Sequence, residues 1–217
     1  MEWTPDFAYA VGLIASDGCL SSDGRHIDFT SKDIDQIQNF RTCLNLTNKI
    51  GTKSSSAAPG KRYYRVQFGN VKLYRFLIDI GLSPNKSKTL TSIAVPDFFF
   101  RDFMRGMFDG DGYTYSYWDP RWKSSFMIYL GFTSGSKVYL EWLKGRILTL
   151  YKLTGKIRQG TRAFQLVFAK KASINLFKVM YYKDDVICLK RKNLKIAESL
   201  GIIGKSAEVL KLVNRLP

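Results

Sequence analysis

The chain has 217 residues, 45% of them hydrophobic, which is long enough for one large or two ordinary domains and too apolar for a disordered protein. Its 34 lysines and arginines face 18 aspartates and glutamates, a net charge of +16 that favours a polyanionic partner, most simply nucleic acid. Three widely spaced cysteines without a CxxC pair exclude a disulfide framework and a zinc cluster, the single histidine excludes His-rich metal chemistry, and no apolar run approaches the roughly 20 residues of a membrane span.

Met1–Asp6 is polar and leads into a first helix rather than a secretion signal, which predicts an intracellular protein of the cytoplasm, the nucleoid or an organelle. Thr4 suits the N-cap of that helix, Pro5 its first turn and Asp6 its positive end, and the helix runs to about Asp17. Cys19–Ser31 changes to period-two alternation around a Ser21–Gly24 turn, with Ile27 and Phe29 on one face and His26, Asp28 and Thr30 on the other. An amphipathic helix follows at about Lys32–Leu44. Asn48–Lys53 and Arg62–Phe68 read as a hairpin across a Ser/Ala/Pro/Gly-rich gap, and a third helix, about Val71–Ile80, stops near Gly81. Ser83–Thr89 (SPNKSKT) reads as a basic turn, and residues 91–97 as a short linker.

The same order then returns. Phe98–Asp111 is predicted as a helix, with the Phe98–Phe100 run in the core, and Tyr113–Tyr117 and Ser125–Ser134 as strands. A helix at Val138–Tyr151, a hairpin of Gly155–Arg158 with Ala163–Phe168, and a helix at Ala172–Tyr182 complete the repeat. Leu189–Leu194 (LKRKNL) matches Asn85–Leu90 (NKSKTL), Leu153–Ile157 (LTGKI) matches Leu46–Ile50 (LTNKI), and Lys205–Leu216 reads as one more amphipathic helix. The expected fold class is α+β: two pseudo-symmetric αββαββα domains, residues 1–90 and 98–200, each with an antiparallel four-stranded sheet, and a helical extension at 201–217.

Two stretches anchor the duplication, Ala10–Gly18 (AVGLIASDG) and Met104–Gly112 (MRGMFDGDG). Gly12 with Ser16, and Gly106 with Gly110, are spaced to form a small-residue stripe on each helix, so the two helices can pack with their backbones close. Gly18 and Gly112 suit the left-handed position just past a helix, which leaves Asp17 and Asp111 at the C-terminal ends. There the helix dipole opposes a carboxylate by roughly 0.3–1 kcal/mol. A parallel pair would bring the two aspartates side by side, an arrangement that calls for a positive partner such as a metal ion.

These stretches resemble the signature of the LAGLIDADG homing endonucleases, and two copies in one chain resemble the monomeric branch of that family. The first copy departs from the signature at Ala15, where the second keeps an acid as Asp109; both copies keep the family's metal-binding acid, Asp17 and Asp111. The resemblance implies two saddle-shaped sheets over double-stranded DNA, packed through the two signature helices. It implies hydrolysis of both strands of a long asymmetric target with short 3′ overhangs, and an intron-encoded or free-standing monomer. Carboxylate sites favour Mg²⁺, and Ca²⁺ is expected to support binding without cleavage. The resemblance adds the backbone carbonyls of Ser16 and Gly110 as ligands, and a lysine near each scissile phosphate. Lys86 and Lys190 hold matching places for that role, and Lys88 and Lys192 match equally well. A water-organising polar residue on an early strand corresponds to Asp28 in the first half and to Gly131, which has no side chain for it, in the second.

The expected DNA-facing set in the first half is Ser21, Asp23, Arg25, His26, Asp28, Thr30, Lys32, Lys61, Arg62, Arg65, Gln67 and Lys88. In the second half it is Tyr113, Tyr115, Tyr117, Lys123, Met127, Tyr129, Thr133, Arg158, Arg162, Gln165 and Lys192. Strands of about nine residues cover ~30 Å, so two sheets in tandem would span ~18 base pairs. An intron RNA maturase, or a DNA-binding regulator that no longer cleaves, would use the same scaffold.

Overall fold

Thr4 opens the chain's first helix as its N-cap, with Oγ1 accepting the Phe7 amide at 3.1 Å, and α1 then runs Pro5–Asp17. The computed structural model describes residues 1–54, 62–122 and 125–213, with side chains through Gly204. The expected DNA contacts Lys61 and Lys123 lie outside the described residues. After α1 come β1 (Gly18–Leu20), β2 (His26–Ser31), α2 (Ile34–Cys43), β3 (Gly51–Ser54), β4 (Arg62–Gly69) and α3 (Val71–Asp79). The second half repeats the series as α4 (Phe100–Asp111), β5 (Gly112–Trp118), β6 (Phe126–Ser134), α5 (Lys137–Tyr151), β7 (Lys156–Gln159), β8 (Phe164–Phe168) and α6 (Lys170–Met180), and closes with α7 (Lys190–Val213).

The two antiparallel sheets have the orders β1-β2-β4-β3 and β5-β6-β8-β7, so each is built from one half of the chain. Their registers coincide: Gly18 stands opposite Phe29 as Gly112 stands opposite Phe132, and Thr30 opposite Arg65 as Thr133 opposite Gln165. Ile27, Phe29, Val66 and Phe68 in one sheet, and Ile128, Leu130, Phe132, Leu166 and Phe168 in the other, are buried beneath the helices. Period-two alternation therefore leaves the opposite face of each sheet, among the described residues, without a helix over it.

Between the halves lie α1 and α4, buried over most of their circumference. Their backbones touch. A Cβ on Gly12 would sit 2.1 Å from the Phe103 carbonyl oxygen, and one on Gly106 would sit 2.1 Å from that of Tyr9. The small-residue stripes are thus a steric requirement for this approach.

Three local expectations change. Gly18 and Gly112 are extended (φ −78° and −77°) rather than left-handed, because each helix runs directly into a strand. Glycine is still needed, since a Cβ would lie 2.6 Å from Ile14 Cα or 2.3 Å from the Phe108 carbonyl oxygen. The 3-10 turn Asp97–Phe99 precedes α4, leaving Phe98 71% exposed while Phe100 enters the core. The second basic turn is the opening turn of α7, a helix continuous across position 200.

Buried polar groups fasten the chain before α7 to α4. The fully buried Arg105 binds Asp102 at 2.7 Å, the Met180 carbonyl at 3.0 Å and the Ile187 carbonyl at 2.9 Å. Asp109 accepts hydrogen bonds from Tyr9 Oη at 2.7 Å, Tyr181 Oη at 3.3 Å and the Leu189 amide at 2.6 Å. Asp109, whose counterpart in the first half is Ala15, is thereby a structural clamp on the chain before α7.

Candidate functional site

The close approach of α1 and α4 delivers Asp17 and Asp111 together. Asp17 reaches across the helix pair so far that its Oδ2 lies 3.0 Å from the place a Gly110 Cβ would occupy. Ser16, one turn beyond Gly12, turns its Oγ back to the Gly12 and Leu13 carbonyls at 3.2 and 3.0 Å. Both carboxylates keep one side open to solvent while protein closes around the other. That enclosure first, and the charge of Asp111 second, push the Asp17 carboxyl up to about 7; Lys192 and Lys86 pull the other way. Burial raises Asp111 as well, against the same two lysines.

Among the described residues no cluster of three or more His, Cys, Asp or Glu side chains is placed to hold a metal. Two carboxylates at the carbonyl ends of two helices are nevertheless a hard-oxygen donor set. They fit Mg²⁺, Mn²⁺ or Ca²⁺, which complete their shells with carbonyls, water or substrate phosphate, and do not fit zinc or copper. The raised carboxyl has a thermodynamic consequence. Folded Asp17 holds its proton to higher pH than the unfolded chain does, so it weakens the metal-free fold progressively as pH rises from about 4 through about 7. Thermal midpoints in EDTA are expected to fall across that window relative to those of Asp17→Asn. Added divalent cation should remove the difference at pH 7.

Lys86, in the turn after α3, is buried and donates from Nζ to the Gly18 carbonyl at the end of α1. Its counterpart at the end of α4 is Lys192, whose Nζ donates to the carbonyls of Phe108 at 2.6 Å, Gly110 at 3.0 Å and Gly112 at 2.6 Å. Lys190, the expected partner of Lys86, is exposed at the first position of α7, and Lys88 is exposed as well. The physical reason is local. On a helix, two positions rotate a side chain by roughly 200°, so the spacing that serves in a turn is out of phase on α7. Three carbonyls use all three donors of the Lys192 ammonium, whereas Lys86 has one acceptor among the described residues. Burial lowers both lysines, Lys192 to about 8. Each lysine-bearing segment is also braced by the opposite half. Ser136 Oγ donates to the Leu90 carbonyl at 2.6 Å, Asn39 Nδ2 donates to the Cys188 carbonyl at 2.9 Å, and Arg191 pairs with Asp33 at 2.6 Å.

The uncovered sheet faces carry most of the expected DNA-facing set. In the first sheet these are Ser21, His26, Asp28, Thr30, Arg65 and Gln67; in the second they are Tyr113, Tyr115, Tyr117, Met127, Tyr129, Thr133, Arg158 and Gln165. Arg25, Lys32 and Arg162 are exposed outside the strands, at the β1–β2 turn, before α2 and in the β7–β8 turn. Two expectations change. Asp23 accepts the Arg25 and His26 amides, both at 3.0 Å, and pairs with His26 Nδ1 at 2.5 Å, so its carboxylate organises the turn; these bonds hold its pKa far below the usual carboxylate range. Arg62 has the parity of Tyr64, Val66 and Phe68 and so stands on the helix side at the exposed start of β4. Cys19, Lys53, Tyr63, Lys156 and Val167 join the outer faces by register. The pairing of Lys53 with Tyr63 was the available signal, but it needs a register that spans the loop between them.

Asp28 is held by Arg65, whose Nε lies 2.6 Å from it, and it accepts from Thr30 Oγ1 at 3.2 Å. At the matching place in the second sheet stands Gly131, covered by the Tyr113 ring, whose hydroxyl reaches Gln165 Oε1 at 3.3 Å. The two sheets therefore differ in side chains at this matched position.

No protein-family model and no curated protein sequence matches the chain. Solved structures do. The homing endonuclease I-WcaI bound to its DNA recognition sequence aligns over 89% of this chain and 88% of its own at 15% identity, with a TM-score of 0.62. Full-length DUF199/WhiA from Thermatoga maritima aligns over 99% of this chain and 67% of its own at 13% identity, with a TM-score of 0.61. I-DmoI in complex with DNA and Mn aligns over 82% of this chain and 97% of its own at 17% identity, with a TM-score of 0.53. With paired signature helices and two four-stranded sheets in one chain, the protein has the two-domain α+β LAGLIDADG fold of these structures.

Proposed function

We propose that the protein is a site-specific endonuclease that, as a monomer, binds a long asymmetric stretch of double-stranded DNA across its two sheets. It hydrolyses both strands at the aspartate pair, using a divalent cation, Mg²⁺ by preference. The observation that carries this reading is Asp17 and Asp111 meeting at the ends of two helices packed backbone to backbone, between two sheet faces lined with hydrogen-bonding side chains. A charge of +16 on the chain favours the polyanion. Two similar structures, I-WcaI and I-DmoI, hold DNA, and I-DmoI holds Mn.

In this reading Asp17 and Asp111, with the Ser16 carbonyl, would hold the cation, whereas the Gly110 carbonyl expected beside it already accepts from the Lys192 ammonium at 3.0 Å. When bound it supplies a nucleophilic water at neutral pH, charge relief for the phosphate and assistance to the leaving oxygen. Lys86, with donors to spare, presents positive charge to one scissile phosphate. Lys192 caps the carbonyl end of α4 so that Asp111 is held in place, and with its three donors engaged it brings charge, not a free hydrogen bond, to the role assigned above to Lys190. In the same reading Asp28, clamped by Arg65, orders water in the first half only.

The test is incubation with a large library of duplexes carrying ~20 randomised base pairs, with Mg²⁺, Mn²⁺ or Ca²⁺. One asymmetric family of cut sites with Mg²⁺ or Mn²⁺, captured uncut in Ca²⁺, is the expected result. Specific capture without cutting under any cation overturns the nuclease reading in favour of a DNA-binding protein. Failure to capture any duplex, with binding to structured intron RNA, overturns it in favour of a maturase. Binding to the selected duplex should also fall with salt at a log–log slope of about −0.9 per phosphate neutralised, and a flat response counts against phosphate tracking by the sheets.

A further inference from the structure

The outer face of the second sheet carries an aromatic ladder with no equivalent among the described residues of the first. Tyr113, Tyr115 and Tyr117 alternate along β5, and Tyr129 stands opposite Tyr115 on β6. Their rings are parallel to within 12°, with centroids 4.8 Å apart for Tyr115 and Tyr129, 6.1 Å for Tyr117 and Tyr129, 6.2 Å for Tyr113 and Tyr115, and 6.4 Å for Tyr115 and Tyr117. Gly131 makes the room, because a Cβ there would lie 2.5 Å from Tyr113 Cζ. At matching positions the first sheet has Cys19 for Tyr113, Asp28 for Gly131, Arg65 for Gln165 and Gln67 for Val167.

Stacked on its neighbours, the inner Tyr115 ring does not offer its faces to a ligand, and across the ladder the rings mostly cover one another. They offer edges and hydroxyls, with Tyr115 and Tyr117 38% and 42% exposed. A platform for unpaired bases needs free ring faces, so the ladder suits the groove of a duplex better than a single strand. A phenol hydroxyl donates or accepts with equal ease, and therefore separates base pairs poorly by hydrogen bonding. The apolar ring edges, by contrast, have one apolar counterpart on the base edges of the major groove, the C5-methyl of thymine. Arg158, beside the ladder at the edge of the sheet, supplies charge for the phosphates, while Arg121 beyond its end is paired with Asp119 at 3.1 Å.

Resting on the DNA-binding reading above, we propose that the tyrosine ladder recognises thymine methyl groups. The half of the target under the second sheet is then thymine-rich and read by apolar contact, while the first sheet reads its half by hydrogen bonds.

The experiment takes the duplex selected above and replaces thymine by deoxyuridine, which removes the methyl and keeps the pairing, in one half-site at a time. The half whose base preference changes in Gln67→Ala is assigned to the first sheet. Each contacted thymine in the other half is expected to weaken binding about fourfold on losing its methyl, with little change from substitutions under the first sheet. Tyr115→Phe/Tyr117→Phe should keep this sensitivity, and Tyr115→Ser/Tyr117→Ser should lose it while melting as a folded protein. A second half-site without thymine, indifference of the native protein to deoxyuridine there, or undiminished sensitivity in the serine variant overturns the inference and leaves the endonuclease reading intact. Failure to select any duplex overturns both.

Discussion

Asp111→Asn is expected to abolish double-strand cleavage, lowering the rate by at least ~10³-fold, while specific DNA binding in Ca²⁺ stays within about tenfold. The substitution keeps the volume of the side chain and removes one of the two charges that hold the cation. It also removes a carboxylate from the negative end of a helix, where burial already raises its pKa. The fold should therefore be unharmed or stabilised, by up to ~1 kcal/mol. Asp17, relieved of its neighbour's charge, should titrate closer to an ordinary carboxylate. Cleavage, equilibrium binding and thermal melting of the one variant separate these effects. Retained double-strand cleavage overturns the assignment of the aspartates, and lost binding with a lowered melting temperature would make Asp111 a structural residue instead. Asp17→Asn should behave alike, since the two residues meet across the same interface.

Gly106→Ala is expected to cost ~3 kcal/mol or more in chemical denaturation, well above an ordinary surface change. The new methyl would lie 2.1 Å from the Tyr9 carbonyl oxygen, and neither backbone can move aside without separating α1 from α4. Separation also draws Asp17 away from Asp111, so cleavage should be lost together with stability, unlike the aspartate variants, which lose cleavage alone. Gly145→Ala is the control. Nothing lies within 4 Å of a Cβ at Gly145 in the interior of α5, so alanine there should stabilise the chain by up to ~1 kcal/mol. If Gly106→Ala melts like the native protein, the close approach of the two helices is not what holds the halves together.

Much of this was legible in the chain itself because the signals were local. Thr4 and Pro5 announce the start of α1, alternation on β2 and β4 separates Phe29 and Val66 from Thr30 and Arg65, and glycine or serine at helical spacing marks the faces that meet. The duplicated Asp-Gly endings point to a carboxylate pair before any coordinate is known. Lys190 shows where such reading stops. The match between NKSKTL and LKRKNL is real as sequence, but one copy is a turn and the other opens a helix, and the helix turns Lys192 rather than Lys190 toward the carbonyls. Gly18 and Gly112 make the same point, since both must be glycine for lack of space and not for a left-handed backbone.

By itself the sequence determined the positive charge, from composition, the two-fold repetition, from matched stretches, and the order of elements and the identity of the paired aspartates, from the spacing of residues along single helices and strands. Only the tertiary structure decided which lysine caps each helix, that Asp109 serves as a clamp on the chain before α7, and that Tyr113, Tyr115, Tyr117 and Tyr129 form one ladder. Those outcomes depend on register between strands and on the rotation of one element against another, which are settled by packing across the whole core rather than by neighbours in the chain.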